Sequence, residues 1–325
     1  MTHLPQFVSL AEDGVYEFYL DHTLLASARM CEARFDLDHI QMYKPKTLPW
    51  ALDFGTLVHL CMEFYHKHEM TGKVLELKSF LEYGSKSWRD GGYDKYAQLP
   101  QYKAVGGFSG FIVLLTQYHT YYQQQTNLKP IALEIAFGRN KEVPLLADAT
   151  LYKWAPFRLY LSGRMDIIFD DGRRLGSMDH KTFSMAGKNP MTGYEVQEGM
   201  TGYIYAMNYI YKAHFSHLIQ RDTNVLWLNF ILTKAEEDLN KRFQRVPLYK
   251  TASQLEEYRL RQISTCAKIY QLLVEGRPPD FNASVCTNYW HSTCHYQPVH
   301  RLSSKEDQLI VLGKEFKKEE WNPEK

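Results

Sequence analysis

With 325 residues, 45% of them hydrophobic and 23% charged, and a formal net charge of +1, the chain has the composition of an ordinary globular protein and can bury a large core. That composition argues against disorder, and no apolar run approaches the ~18 residues that cross a bilayer. Near-neutrality neither requires nor excludes nucleic acid, because an acidic cluster beside a basic track sums to little.

The opening stretch, MTHLPQFVSLAEDGVYEFYL, has no basic segment followed by an apolar one, so the protein is expected to stay where it is made. An odd number of cysteines, five, without an export signal points to a reducing, cytoplasmic compartment rather than a disulfide framework. Residues 1–20 read as a peripheral lead-in. Helical spacing over 24–37 carries Cys31 in its middle. After Pro45 and Pro49, the stripe Leu57, Leu60, Cys61 and Phe64 predicts a helix from about Gly55, with His59 beside it; on these residues alone His59 reads as structural. Residues 71–127 are a helical elaboration whose tyrosines serve packing. Strands are expected at Ile131–Phe137, in a hairpin over 161–183, and at Val225–Leu232. A helix bearing Met200, Tyr203, Ile204, Met207 and Ile210 lies between the last two. This order predicts an α/β fold, one central mixed β-sheet flanked by helices, within a single domain whose core is 131–232. A further helix over 253–273 holds Cys266. Gly276, Pro278 and Pro279 then break the chain before a segment, 281–302, that carries Cys286, His291, Cys294, His295 and His300. The tail, 303–325, reads as a solvated helix or a disordered end. Two basic concentrations, Arg173, Arg174, Lys181 and Lys188, and Lys241, Arg242 and Arg245, read as solvated faces.

The most informative stretch is LSGRMDIIFDDGRRLGSMDHKTF, Leu161 to Phe183. Alternation on both sides of Asp170-Asp171-Gly172 predicts a β-hairpin, with the Asp-Gly pair supplying turn chemistry. Side chains alternate with period two, and a one-residue slip would move them to the other face. A loop over 171–174 sets Asp166 opposite Asp179; a two-residue turn at Asp171-Gly172 sets it opposite Ser177, one diagonal step from Asp179. Both registers place Asp166, Asp179 and Lys181 on one face. Opposed Cβ atoms lie ~4.5–5.5 Å apart, and like charges there repel. On a solvated hairpin Lys181 would neutralise one acid. Among Leu161, Met165, Ile167, Ile168, Phe169 and Met178, the two carboxylates are instead expected to share a divalent cation.

In chain order the sequence thus offers a helix with Cys31, Gly55 and His59 at G-x-x-x-H spacing, Glu134 on a strand, Gly163 and Asp166 as G-x-x-D, Asp179 and Lys181 as D-x-K, and a helix with Tyr203. From about Leu24 to Leu302 this resembles the RecB-like branch of the PD-(D/E)XK nuclease superfamily, which includes CRISPR-associated exonucleases and phage-encoded relatives. The resemblance implies a restriction-endonuclease-like core in which His59, Asp166, Asp179 and the backbone carbonyl of His180 bind Mg2+ or Mn2+. Lys181 would orient or help deprotonate the attacking water and stabilise charge on the scissile phosphate. Oxygen-rich ligands suit these hard cations, and one imidazole tilts the set toward Mn2+. Glu134 would be accessory, its alternative being a sheet-face acid paired with Arg164 or another base. One motif departs from the family pattern: with Tyr203 on the tyrosine of Q-x-x-x-Y, Gly199 stands where glutamine is expected. Gln197, two residues early, would lie ~200° around a helix and substitutes only if the helix begins after it.

Many relatives bind a 4Fe-4S cluster through one cysteine before the nuclease core and three after it. Here Cys31, Cys286 and Cys294 would be three of the ligands, with His300 in the final position. The resemblance points to the cluster, three cysteines with one histidine suit zinc on chemical grounds, and an empty site is the third alternative. A shared metal would staple the chain ends. The expected function is a metal-dependent deoxyribonuclease hydrolysing phosphodiester bonds at DNA ends or in single strands, an exonuclease of recombination, repair or phage DNA processing. Its alternatives are a DNA-binding or recruiting protein without turnover and a structure-selective endonuclease. No membrane partner is expected.

Overall fold

The computed structural model describes residues 4–46, 49–123, 128–138, 145–147, 157–183, 191–218, 220–286 and 294–319; Lys188 and His291 lie outside them. The chain groups into two compact units, one of Leu48–Ile135 with Met165–Thr251, the other of Met1–Thr47, Ala136–Arg164 and Ala252–Lys325.

The first unit opens with α1 (Trp50–Met70), α2 (Leu77–Asp90), α3 (Pro100–Val105) and α4 (Gly107–Tyr122), followed by β1 (Lys129–Phe137), β2 (Gly163–Asp170) and β3 (Leu175–Phe183). Then come α5 (Met191–Tyr194), α6 (Glu198–His214), β4 (Val225–Leu232), α7 (Leu239–Arg242) and β5 (Phe243–Tyr249). The five strands form one mixed sheet in the order β5-β4-β3-β2-β1. β2 and β3 are antiparallel, β3 and β4 parallel, β4 and β5 antiparallel. All eight residues of β4 are buried, and a strand covered on both faces reads as a continuous apolar run. Phe54, Leu57, Phe80, Trp88 and Phe111 form one apolar cluster with Ile231 and Phe243 of the sheet. The described part of that elaboration, 71–123, therefore shares its core with the strands, and Tyr93, Tyr118 and Tyr122 are buried within that cluster.

The hairpin ladder pairs Ile167 with Met178, Ile168 with Ser177, Phe169 with Gly176 and Asp170 with Leu175. This is the register of the 171–174 loop, and one further step sets Asp166 across from Asp179. The loop is closed by the Asp171 N–H donating to the Arg174 carbonyl at 3.1 Å. Asp171 Oδ1 also accepts from the backbone amides of Arg173 (2.9 Å) and Arg174 (2.7 Å), and Gly172 takes φ 89°, a region glycine enters without a Cβ penalty.

At the hairpin end Arg221 grips Asp170 through Nε (2.7 Å) and Nη2 (3.1 Å). The guanidinium bonds hold the Asp170 pKa below its ordinary value. A depressed carboxylate stabilises the fold above its unfolded pKa of about 3.9 and loses that contribution as pH falls through the folded value. Arg221→Met should therefore melt below wild type at pH 7, and the two melting curves should converge under acid; a pH-independent gap would assign the loss to packing.

At Gly176 β3 leaves no room for a side chain beside β4: a Cβ there would lie 2.4 Å from the Val225 carbonyl oxygen and 2.7 Å from the Trp227 ring. Gly176→Ala is expected to cost about 1–3 kcal/mol, as overpacking does, read as a lowered melting temperature. An unchanged Tm would show that the strands part freely.

In the second unit, strands Val8–Leu10, Tyr16–Leu20, Phe157–Leu161 and Leu145–Ala147 form a sheet in that order. The opening residues are thus structural rather than peripheral, with Phe18 and Leu20 fully buried; their alternation is too short to announce a strand. The helix expected over 24–37 breaks. His22–Met30 ends, Cys31 takes an extended conformation (φ −164°, ψ 112°), and Glu32–Phe35 begins anew. A tertiary contact overrides propensity at the break: Glu32 accepts from Arg277 (2.7 Å) and from the Asp280 amide (2.9 Å), and the Ala33 amide donates to the Asp280 carbonyl (3.0 Å). In the tail, Lys305–Glu315 is helical, and Phe316–Lys318 pairs with Tyr43–Pro45. Among the described residues no helix is long and apolar enough to cross a membrane.

Candidate active site

The G-x-x-x-H spacing sets α1 against β3. A methyl at Gly55 would sit 3.4 Å from Thr182 Oγ1, in ordinary van der Waals contact, and one turn on His59 reaches the strand. Its Nε2 lies 2.8 Å from the His180 carbonyl oxygen and its Nδ1 3.3 Å from Asp166 Oδ2. A carbonyl only accepts, so Nε2 carries a proton, and Nδ1 faces a carboxylate either as a second N–H or as a lone pair awaiting a cation. Burial opposes charge on His59, but the hydrogen bond and charge of Asp166, with the charge of Asp179, outweigh it and raise the pKa. The His180 N–H also reaches Asp166 Oδ2, at 3.4 Å.

The two acids have opposite environments. Burial pushes Asp166 up, yet the His59 hydrogen bond and charge hold it well below the usual carboxylate range. Asp179, 6% exposed, is raised by burial and by the Asp166 charge, despite Lys181. Lys181 Nζ lies 2.7 Å from Asp179 Oδ2, but among the described residues no donor meets that buried oxygen with hydrogen-bond geometry. Burial disfavours the Lys181 charge, while Asp179 and Asp166 more than restore it, so its pKa is raised and it stays an ammonium.

Two carboxylates across one ladder, one with an unsatisfied buried oxygen, and an imidazole nitrogen aimed at the other make a donor set that suits a hard divalent cation. His59, Asp166 and the peptide of residue 180 are drawn together, whereas Asp179 is held by Lys181. Among the described residues no three His, Cys, Asp or Glu side chains close around one point.

Glu134 lies half-buried on β1 with φ 52°, a conformation rare outside glycine and met at bulges and functional sites. Tyr203 is half-buried on α6. That helix begins at Glu198, with Gln197 before it at φ −69°, ψ 127°, so the helix does start after Gln197.

Several polar side chains at the site carried no sequence signal. Tyr194 packs edge-on to Phe230 at 5.3 Å; burial raises its pKa, against the pull of Lys181 and with the push of Asp179, which places its hydroxyl in electrostatic reach of both. By alternation the His180 ring points away from Asp179 and Lys181. It stacks on His66 (5.5 Å, 11°) and meets His59 edge-on (5.6 Å, 86°). Of the basic concentration at 241–245, Lys241 is solvated but the two arginines are not: Arg242 is 1% exposed and donates to the Leu232 carbonyl at 3.2 Å. Arg245 lies 3.7 Å over the Tyr122 ring and donates to the Tyr118 hydroxyl at 3.3 Å.

In the second unit the thiols are free, Cys31 buried and Cys286 and Cys294 half-buried. The Cys294 amide donates to the Cys286 carbonyl at 2.9 Å. Burial raises the Cys286 pKa, and Cys294 and Cys31 raise it further, so the three share one neighbourhood. His300 has other company: its ring is edge-on to Phe281 at 5.2 Å, and burial lowers its pKa beside Ala33 and Asp36.

A five-stranded mixed sheet flanked by helices, with two carboxylates and a lysine on its central hairpin, is the architecture of the restriction-endonuclease-like nucleases. The family model of the PD-(D/E)XK nuclease superfamily matches residues 22–299, and the chain belongs to that superfamily. Its activity class is therefore phosphodiester hydrolysis and its substrate class nucleic acid. No curated protein matches the sequence.

Proposed function

We propose that the protein is a metal-dependent deoxyribonuclease, an exonuclease working at DNA ends or in single strands. The observation that carries this reading is the hairpin register, which aligns Asp166 with Asp179 beside Lys181 while His59 docks on the peptide of residue 180. His59, Asp166, Asp179 and the His180 carbonyl would hold Mg2+ or Mn2+, which supplies Lewis acidity at the phosphoryl oxygen and a more acidic water when bound. Lys181 would bind a non-bridging phosphate oxygen, orient or help deprotonate the attacking water and offset charge that develops on the phosphate. Glu134 and Tyr203 would make accessory contacts. DNA would be held through its backbone charge, without sequence readout.

End-labelled single-stranded DNA and circular DNA, each incubated with Mg2+ or Mn2+, test this. Loss of label from ends alone is expected. Cut circles would make the protein an endonuclease, and no cleavage of either substrate with either metal would leave a binding protein without turnover.

The three neighbouring thiols of Cys31, Cys286 and Cys294 are the candidates for a second metal; among the described residues they do not close around one point, and His300 lies against Phe281 rather than with them, so a metal there would have to draw the set together. Metal analysis of anaerobically purified protein decides its identity: iron with broad visible absorption means a 4Fe-4S cluster, zinc in colourless protein means a zinc staple. Absence of both sinks the idea.

A further inference from the structure

The peptide unit of residue 180 touches the site twice, its carbonyl facing His59 Nε2 at 2.8 Å and its N–H facing Asp166 Oδ2 at 3.4 Å. Whatever holds residue 180 therefore holds His59 against Asp166. On the neighbouring strand its ladder partner is Asn229, which is wholly buried and is the one amide side chain in VLWLNFIL. Asn229 Nδ2 lies 2.7 Å from His180 Nδ1 and 3.0 Å from the Tyr118 hydroxyl, and Oδ1 accepts from the Tyr122 hydroxyl at 3.1 Å. Tyr122 thus pairs the carbonyl end of the amide while the amino end faces His180 and Tyr118.

An amide that donates in both directions passes no proton between its neighbours, so this chain of contacts is not a proton path. It can hold a ring still. The His180 ring, stacked on His66, edge-on to His59 and hydrogen-bonded at Nδ1, is fixed from three sides. A buried polar cluster orients what it touches through the bonds its members make; here the Nδ1 contact with Asn229 is the ring's one hydrogen bond among the described residues, since Nε2 is buried without a partner there.

We propose that Asn229 is a positioning residue for the candidate metal pair: through the His180 ring it sets the carbonyl and N–H of residue 180, and with them the orientation of His59 against Asp166. This rests on reading His59 and Asp166 as cation ligands. Outer-shell partners of metal ligands typically alter metal affinity by about 10–100-fold.

The test measures Mn2+ affinity of DNA-free protein by electron paramagnetic resonance of the unbound ion, alongside kcat and KM for DNA. Asn229→Leu is expected to raise the Mn2+ dissociation constant about 10-fold or more and lower kcat while leaving KM unchanged. His180→Phe should do the same, and the double variant should be no worse than either single one, because both act through one contact. Wild-type Mn2+ affinity in Asn229→Leu, or effects that add in full, would overturn the proposal, as would a wild-type protein that binds no Mn2+. Should Asn229→Leu not fold, Tyr122→Phe, which removes one hydroxyl, decides by the same readout: weaker Mn2+ binding supports the proposal and unchanged binding overturns it. Asn229-dependent Mn2+ binding in a protein that cuts no DNA would remove the deoxyribonuclease reading and leave this one standing.

Discussion

Asp179→Asn is expected to lower DNA cleavage at least ~10^3-fold, at the upper end of what loss of one charge-stabilising group costs an active site, while DNA binding persists. Asp179 sits across from Asp166 with a buried oxygen that no hydrogen bond satisfies among the described residues. Its pKa is raised by burial and by the neighbouring acid, so ionised Asp179 opposes folding above that value. The amide removes this opposition and frees Lys181 for phosphate. The variant should therefore bind DNA at least as well as wild type, as fluorescence anisotropy on uncleaved oligonucleotide would show. Undiminished cleavage would place the active site elsewhere.

Lys181→Met should lower kcat by about 10^2–10^4-fold, the range for a positioned group assisting proton transfer or charge development. It should leave Mn2+ affinity intact or improved, since an ammonium 2.7 Å from Asp179 Oδ2 competes for that carboxylate. Arginine should not restore the rate, because a planar fork does not replace a compact point charge. Turnover at saturating Mn2+ is the measurement. A rate within a few-fold of wild type would make Lys181 only the charge partner of Asp179.

The common face of Asp166, Asp179 and Lys181 was legible in the sequence because both plausible registers share one parity. Which of them holds was not, since it depends on Asp171 capturing the amides of Arg173 and Arg174. β4 was legible as an unbroken apolar run. β5 was missed because FQRVPLY mixes charges with Pro247, and it lies at the end of the sheet order, where proline is tolerated. Arg242 and Arg245 were misread because their side-chain partners, Gln117, Tyr118 and Tyr122, lie more than a hundred positions earlier. The His180 ring was invisible for the same reason: its neighbours His66 and Asn229 come from a helix and a strand on either side of it in the chain. The helix break at Cys31 follows from Glu32 docking with Arg277, a contact no local window contains.

The Lys181–Asp179 ion pair couples cation and substrate. A divalent ion entering the site must win Asp179 from an ammonium already beside it, and the displaced Lys181 is costly to leave without an anion. A phosphate supplies one. Metal and DNA should consequently bind with positive cooperativity, each strengthening the other by the same factor. The ion alone would bind weakly, and the site would assemble fully only when a strand is in place.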